Sequence, residues 1–380
     1  METVGIICEY NPFHLGHRKQ IEAIRASFGA DTAVVCLMSG NYVQRGAPAL
    51  YDRTVRAKAA LLCGANLVLE LPVTGSLSSA EGFAGTGVSI LSGLCTRLCF
   101  GSETGNADAL WQCAQALLEP RFSESLREAL KTGISFPAAR QRALEQMGLS
   151  GQLLENPNDI LAVEYCKAIL AMGSSLRPFP IQRAGSYHAV IPDAENPSAT
   201  ALRALCLQGG DIAPFVPPEA AECFRDAPVH TLSAGERAIL YRLRTMDDRE
   251  FEALPYGSEG LWRRLMHAVR EEGSLDAILN RVKTKRYTRS RLDRMVLCAF
   301  LGLDRETLEA PAPYARILGF DDRGRELLRN RPDFKNLGQK DDSPYGALET
   351  RCNTLYGLFQ QDGVPMADEA QTQRLFYLHR

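Results

Sequence analysis

The 380-residue sequence carries little surplus charge of either sign: its formal net charge is −2, with 23% charged residues. That balance excludes a basic nucleic-acid coat, and 45% hydrophobic residues exclude a disordered polymer. Any polyanion site must therefore be local. There is no run of 18 apolar residues to cross a membrane as a helix and no charged-then-apolar amino terminus, so a cytoplasmic protein without a membrane partner is expected. The eleven cysteines (8, 36, 63, 95, 99, 113, 166, 206, 223, 298, 352) include no Cys-x-x-Cys pair and no histidine at zinc spacing. Cys95 and Cys99 come nearest, but two ligands do not close a tetrahedral site. Reduced, buried thiols and no structural metal are expected. The Gly-x-x-x-x-Gly-Lys phosphate loop and the Gly-x-Gly-x-x-Gly dinucleotide fingerprint are both missing.

What is present is alternation. "VGIICEY", "TAVVCLMSG", "NLVLELP" and "RLCFGSE" are short apolar runs separated by helical patterns about a dozen residues long. This βαβαβαβ order implies an α/β fold, a Rossmann-like parallel sheet covered on both faces, with ligands at the carboxyl ends of its strands. Residues 107–172 read as successive helices, "PFPIQRAG" as a further strand, and "NPSATALRALCLQ" as a polar turn opening a helix. The proline-rich "APFVPPEA" (213–220) is the linker candidate. It divides the chain into an α/β domain, 1–212, and a mostly α-helical domain, 213–380. Length supports two domains, since single cores stop growing near about 250–300 residues.

The chemistry concentrates in "GIICEYNPFHLGHRKQIEAI", residues 5–24. After the first strand the chain must turn into a helix starting near His17, with Ile21, Ile24 and Phe28 on one face. Free N–H groups and the dipole make that helix start an anion site, and Gly16 lets a phosphate approach the backbone. His14 and His17 would donate hydrogen bonds to phosphate oxygens as charge develops. A zinc reading is weaker, because the Glu of His-Glu-x-x-His and a third ligand are missing.

His14-Leu15-Gly16-His17 resembles the His-x-Gly-His signature of the nucleotidyltransferase superfamily, in which both histidines contact the phosphates of ATP during attack at the α-phosphate. "SATALR" (Ser198, Thr200, Arg203) resembles that superfamily's second motif and reads physically as another anion-binding helix start. More narrowly, "GIICEYNPFHLGH", "MSGNYVQRGAPA", "GANLVLELP", "FGSE", "PNDILAVEY", "SATALR" and "KTKRYTRSRLDR" occur in the order found in bacterial tRNA(Met) cytidine acetate ligases. The resemblance implies ATP-dependent activation of acetate to acetyl-adenylate. It further implies acetyl transfer to the wobble cytidine of elongator tRNA(Met). The implied catalytic residues are His14, His17 and Arg203. The implied ATP site comprises the first loop and helix start (Ile7, Cys8, Glu9, Tyr10, Asn11, Pro12, Phe13, Gly16, Gln20), Gly101, Asn158, Arg183, Ser198 and Thr200. Departures from the family pattern are Leu15 and Asp159 for asparagine, Ala162 for glycine and Arg53 for lysine. Magnesium is expected with ATP from the substrate's charge, not from any ligand set.

Other residues leave alternatives open. Ser39, Gly40, Gln44 and Arg45 should share the rim with the histidines. Arg56 and Lys58 either reach phosphates or RNA or lie solvated, Glu70 either caps amides or faces the site, and Glu103 is a metal or ribose candidate. The block "RVKTKRYTRSRLDR" (281–294) holds seven basic residues and one acid, leaving the remainder of the chain near −8. Lys283, Lys285, Arg286 and Arg289 are the tRNA-binding candidates, with Tyr287 able to stack on an unpaired base. The competing reading is a solvated helix end. Three other functions compete: a small-molecule adenylyltransferase, an RNA-binding protein with ATP as a structural ligand, and an aminoacyl-tRNA synthetase. The last lacks a Lys-Met-Ser-Lys-Ser-like loop. Oligomeric state is not legible.

Overall fold

The structure is a computed structural model that describes every residue except 1, 184–192, 194–195, 285, 330, 369–371 and 380. Five strands run parallel as expected: β1 (Thr3–Cys8), β2 (Ala33–Ser39), β5 (Leu67–Leu71), β6 (Arg97–Ser102) and β7 (Arg177–Gln182). Between β2 and β5 lies a small antiparallel pair, β3 (Tyr42–Val43) and β4 (Ala47–Pro48). The crossovers are helices α1 (Leu15–Phe28), α2 (Arg53–Leu62), α3 (Val73–Ser76) and α4 (Ala80–Ser92). Four more helices separate β6 from β7: α5 (Ala107–Leu118), α6 (Pro120–Lys131), α7 (Phe136–Gln146) and α8 (Pro157–Ala171). Helix α9 (Ala199–Leu207) follows β7.

Strand pleat sorts the side chains between two cores. Val4 and Ile6 of β1, with Val34, Cys36 and Met38 of β2, pack against Ile21 and Ile24 of α1 and Ala57 and Leu61 of α2. Ile7, Val35 and Leu37 face the other way, onto Phe83 and Val88 of α4 and Val163 of α8. With order β5-β2-β1-β6-β7, the chain moves outward from β1 in one direction and then restarts on its other side. The reversal places a crevice at the carboxyl ends of β1 and β6.

Beyond residue 213 the pattern reads as almost wholly helical, and the structure differs in two respects. First, the proline-rich segment is packed, not free: Val216, Ala220 and Phe224 are buried, and Phe224 stacks on Tyr51 at 4.7 Å. Second, after a helical core built from Ile239 to Leu308, the chain returns to the sheet. Strand β8 (Ala315–Asp321) pairs antiparallel with β5, while β9 (Phe334–Asn336) and β10 (Phe376–Leu378) lie parallel to β8. The run "ARILGFD" is buried throughout except Phe320. Its partner edge lies some 250 residues earlier, so local periodicity could not reveal the pairing. Asn66 fixes the junction, donating to Asp321 Oδ2 (2.8 Å) and accepting from the Val34 N–H (2.8 Å).

Candidate active site

At the crevice, β1 gives way to a tight corner. Tyr10 takes a positive φ of 43°, the Asn11–Pro12 peptide is cis, and His14 serves as N-cap of α1. Tyr10 and Phe13 are buried, edge to face at 4.7 Å, and both lean on the His17 ring at 4.7 and 5.5 Å. They are the floor beneath the imidazole. Asn11 is likewise committed, its Oδ1 accepting from the Leu50 N–H (2.8 Å), and Gln20 donates to Cys99 Sγ (3.4 Å). The Cys8 thiol is half-buried and pushed up, by burial first and then by its bond with Cys36.

The two imidazoles form a reciprocal cap. His14 Nδ1 accepts from the Gly16 N–H (3.1 Å), and His17 Nδ1 accepts from the His14 N–H (3.2 Å). An Nδ1 that accepts cannot carry the proton, so each neutral ring is assigned the tautomer with Nε2–H. Each then offers one outward donor. Burial, with Arg183 and Arg203 nearby, lowers the His14 pKa to about 3; burial, His14 and Arg183 hold His17 well below its ordinary value. Both rings are therefore neutral near pH 7, and their faces stack at 3.6 Å. Gly16 has a reason beyond phosphate approach: a Cβ there would sit 3.0 Å from His14 Cε1.

Two guanidinium groups flank the pair. Arg203, one turn into α9, donates to the Asn11 carbonyl (2.8 Å) and to Thr200 Oγ1 (3.1 Å). Ser198 caps α9, accepting from the Ala201 N–H (3.1 Å). Arg45 is exposed and close enough to Arg203 to lower its pKa, after the larger effect of burial. On the other side Arg183 reaches across Gly101, where a Cβ would be 2.8 Å from Arg183 Cδ. Its Nη1 lies 3.4 Å from Asn158 Oδ1. The corner thus offers two imidazole donors and a cation on either flank, an arrangement suited to a polyphosphate.

The carboxylates nearby are engaged by backbone. Glu9 accepts from the Gln44 N–H (2.9 Å), Glu103 from the Asp159 N–H at the α8 start, and Asp159 from the Glu103 N–H at the end of β6. Among the described residues no group of three or more His, Cys, Asp or Glu could hold a metal ion. The donor set does not fit a protein-held magnesium. Asp159, which adds a negative charge where the family pattern has asparagine, is buried beneath the end of β6, its Oδ1 accepting from Ser102 Oγ.

The HIGH Nucleotidyl Transferase family matches residues 1–362. A Clostridium tetani tRNA(Met) cytidine acetate ligase is 35% identical, the match covering 97% of this chain and 98% of that one. The Clostridium perfringens tRNA(Met) cytidine acetate ligase is also 35% identical, over 87% of each chain. The chain belongs to the tRNA(Met) cytidine acetate ligase family. Solved structures agree: Thermotoga maritima TmcAL bound with alpha-thio ATP is 30% identical, covers 100% of both chains and superposes with a TM-score of 0.88. The apo form of the same ligase gives 0.91.

In this cytidine acetate ligase family member, several rim residues have structural roles that sequence did not reveal. Arg56 does not reach phosphate or RNA. It is fully buried and donates to four carbonyls, those of Tyr51 (2.8 Å), Glu9 (2.6 Å), Ser39 (3.0 Å) and Gly40. It thereby ties the ends of β1 and β2 together. Glu70 accepts from no amide among the described residues; it pairs with buried Arg53 at 2.7 Å, packed against Gly40. Lys58 is exposed, 5.6 Å over the Phe376 ring.

The basic block is anchored beside the site, and three of its seven basic residues are ion-paired among the described residues. Helix Arg289–Leu301 packs its second turn on Gly46, where a Cβ would be 2.4 Å from the Arg294 N, and Arg294 donates to the Gln44 carbonyl (3.1 Å). Arg286 pairs with Glu259 (2.6 Å), and Arg289 with Asp276 (3.1 Å) and Asp293 (2.9 Å). Arg281 pairs with Glu271 and Glu272. Lys283 is exposed with no ion pair among the described residues, and Lys285 lies outside them. Tyr287 is buried against Leu292 and its neighbours, so it is not presented for base stacking.

Proposed function

We propose that this protein binds ATP at the His14–His17 corner, activates acetate as acetyl-adenylate and transfers the acetyl group to N4 of the wobble cytidine of elongator tRNA(Met), giving N4-acetylcytidine. The observation that carries the reading is the paired Nε2–H donors at the switch point, flanked by Arg183 and Arg203, in a chain of this family. The α-phosphate is attacked in line by a carboxylate oxygen; the bond to the bridging oxygen breaks and pyrophosphate leaves. His14, His17 and Arg203 stabilise the departing charge, so positioning and electrostatics suffice without a side-chain nucleophile. The cytidine N4 then attacks the acyl carbon, AMP departs and N4 loses a proton. An exocyclic amine whose lone pair is delocalised into the ring needs such an activated acyl group, and the base must be unpaired to be reached. Magnesium, held by the nucleotide's own phosphates, would supply charge neutralisation.

In this reading Ile7–Phe13, Gly16, Gln20, Gly101, Asn158, Arg183, Ser198 and Thr200 frame the nucleotide, and Lys283, Lys285, Arg286 and Arg289 face tRNA. Residues 1–212 form the ATP-binding unit, and the helices of 213–380 the RNA-facing one. The protein works in the cytoplasm; no helix among the described residues is long and apolar enough to cross a membrane. Incubation with ATP, labelled acetate and tRNA(Met) is the test. Label on cytidine is expected. Pyrophosphate release needing neither carboxylate nor RNA would replace the ligase with an adenylyltransferase.

A further inference from the structure

Glu103 and Asp159 exchange hydrogen bonds between the end of β6 and the start of α8. Glu103 Oε1 accepts from the Asn158 N–H (3.3 Å) and Nδ2 (2.7 Å), and its Oε2 from the Asp159 N–H (2.8 Å). In return Asp159 Oδ1 accepts from Ser102 Oγ (2.5 Å), the Glu103 N–H (3.0 Å), and the Thr104 N–H and Oγ1 (both 3.3 Å). Each carboxylate satisfies backbone donors of the other's segment, and Glu103 also occupies the positive end of α8.

The consequence falls on Asn158. With Nδ2 given to Glu103, its amide cannot flip without losing that charge-assisted bond. Oδ1 is therefore left toward the Arg183 guanidinium, 3.4 Å away. Arg183 has little other freedom at its base: its N–H extends β7 by bonding the Ser102 carbonyl (2.9 Å), and its stem crosses the bare Gly101 backbone. From there its charge is felt at both His14 and His17. Glu103 in turn acts on Arg183 electrostatically as well as through the amide.

We propose that Glu103 is a positioning residue for the nucleotide: it locks the Asn158 amide so that Asn158 and the neighbouring carboxylate aim Arg183 at the phosphates beside the histidines. The inference rests on the ATP reading of the corner. It makes Glu103 a determinant of ATP affinity that is not itself in contact with ATP, and it acts through Asn158 and, chiefly, Arg183.

The test is a double-mutant comparison in the full-length protein, reading ATP affinity by calorimetry and KM and kcat in the label-transfer assay. Glu103→Ala should raise the Kd and KM for ATP about tenfold while leaving the KM for acetate within about twofold. Glu103→Gln, which keeps one acceptor oxygen for Asn158, should fall between it and wild type, and supplies the comparison should the alanine variant not fold. In an Arg183→Met background either substitution should lose most of its effect on ATP affinity, because its main target is gone. Additive losses, equal losses for acetate and ATP, or unchanged ATP affinity in the single variants would overturn the proposal. So would an Arg183→Met protein that binds ATP as wild type does. If wild type itself fails to bind ATP, the reading of the corner falls first, an outcome separately visible in the same titration.

Discussion

The His14 ring combines an observed cap with a proposed phosphate donor, and the two can be separated. Its Nδ1 caps α1, a bond whose loss costs about 1 kcal/mol, while its Nε2–H faces the proposed phosphate site. His14→Asn, which restores a capping acceptor, should melt near wild type yet lose at least about a hundredfold in turnover; His14→Ala should lose both. His17→Ala should abolish turnover with the fold intact by circular dichroism. The depressed pKa values have a pH consequence whose sign is definite. Both imidazoles are neutral in the fold down to low pH, whereas unfolded histidine takes up a proton near pH 6.5. Below about pH 6.5 the unfolded chain binds more protons, so stability falls as pH falls from about 7 toward 4 and is unaffected by these groups above about 7.5. His230, also lowered chiefly by burial, adds in the same direction. Urea midpoints across that window should show the slope, and His17→Gln should reduce it. ATP affinity should show no titration near pH 6.5; one would mean that an imidazolium is the working form.

At the scale of elements, strands β1, β2, β5 and β6 and their crossover helices were legible because their apolar periods are strong and these strands are largely buried on both faces. The histidine corner was legible for a related reason: a strand end, a glycine and a helix start are contiguous in sequence, so their meeting needs no tertiary information. Arg56 shows the opposite case. Its position on α2 is plain, but whether it points to solvent or gathers four carbonyls depends on where β1 and β2 end. Arg56→Met should leave those carbonyls without a donor and lower stability by about 3 kcal/mol or more in urea titrations. Gly46 is similar. It has a φ of 82° and the helix Arg289–Leu301 backbone against it, so Gly46→Ala should both strain the turn and push that helix away, at a cost of about 1–3 kcal/mol in the same titration.

On the scale of the whole molecule, the two ends of the chain share one sheet. Strand β8 covers the edge of β5, a strand buried along its length. A chain ending at residue 313 should therefore expose an apolar edge and aggregate, measurable by light scattering, although the sequence pattern alone would suggest a removable helical tail. Charge is also decided at this scale. The +6 block promises a strong local field, yet Arg281, Arg286 and Arg289 meet acidic partners from other segments of the helical core. Lys283, exposed and without such a partner among the described residues, is the better probe. Lys283→Glu should weaken tRNA binding and reduce its salt slope by about 1, read by filter binding at several salt concentrations.

The sequence by itself determined the parallel sheet, the histidine corner and the family, because each depends on neighbours along the chain or on motif order. Only the tertiary structure decided which charges are free, which arginines are buried, how Glu103 and Asp159 meet across 56 positions and where the last strands go. Those outcomes depend on contacts between segments far apart in sequence, where desolvation and partner geometry, not residue type, set what a charged side chain does.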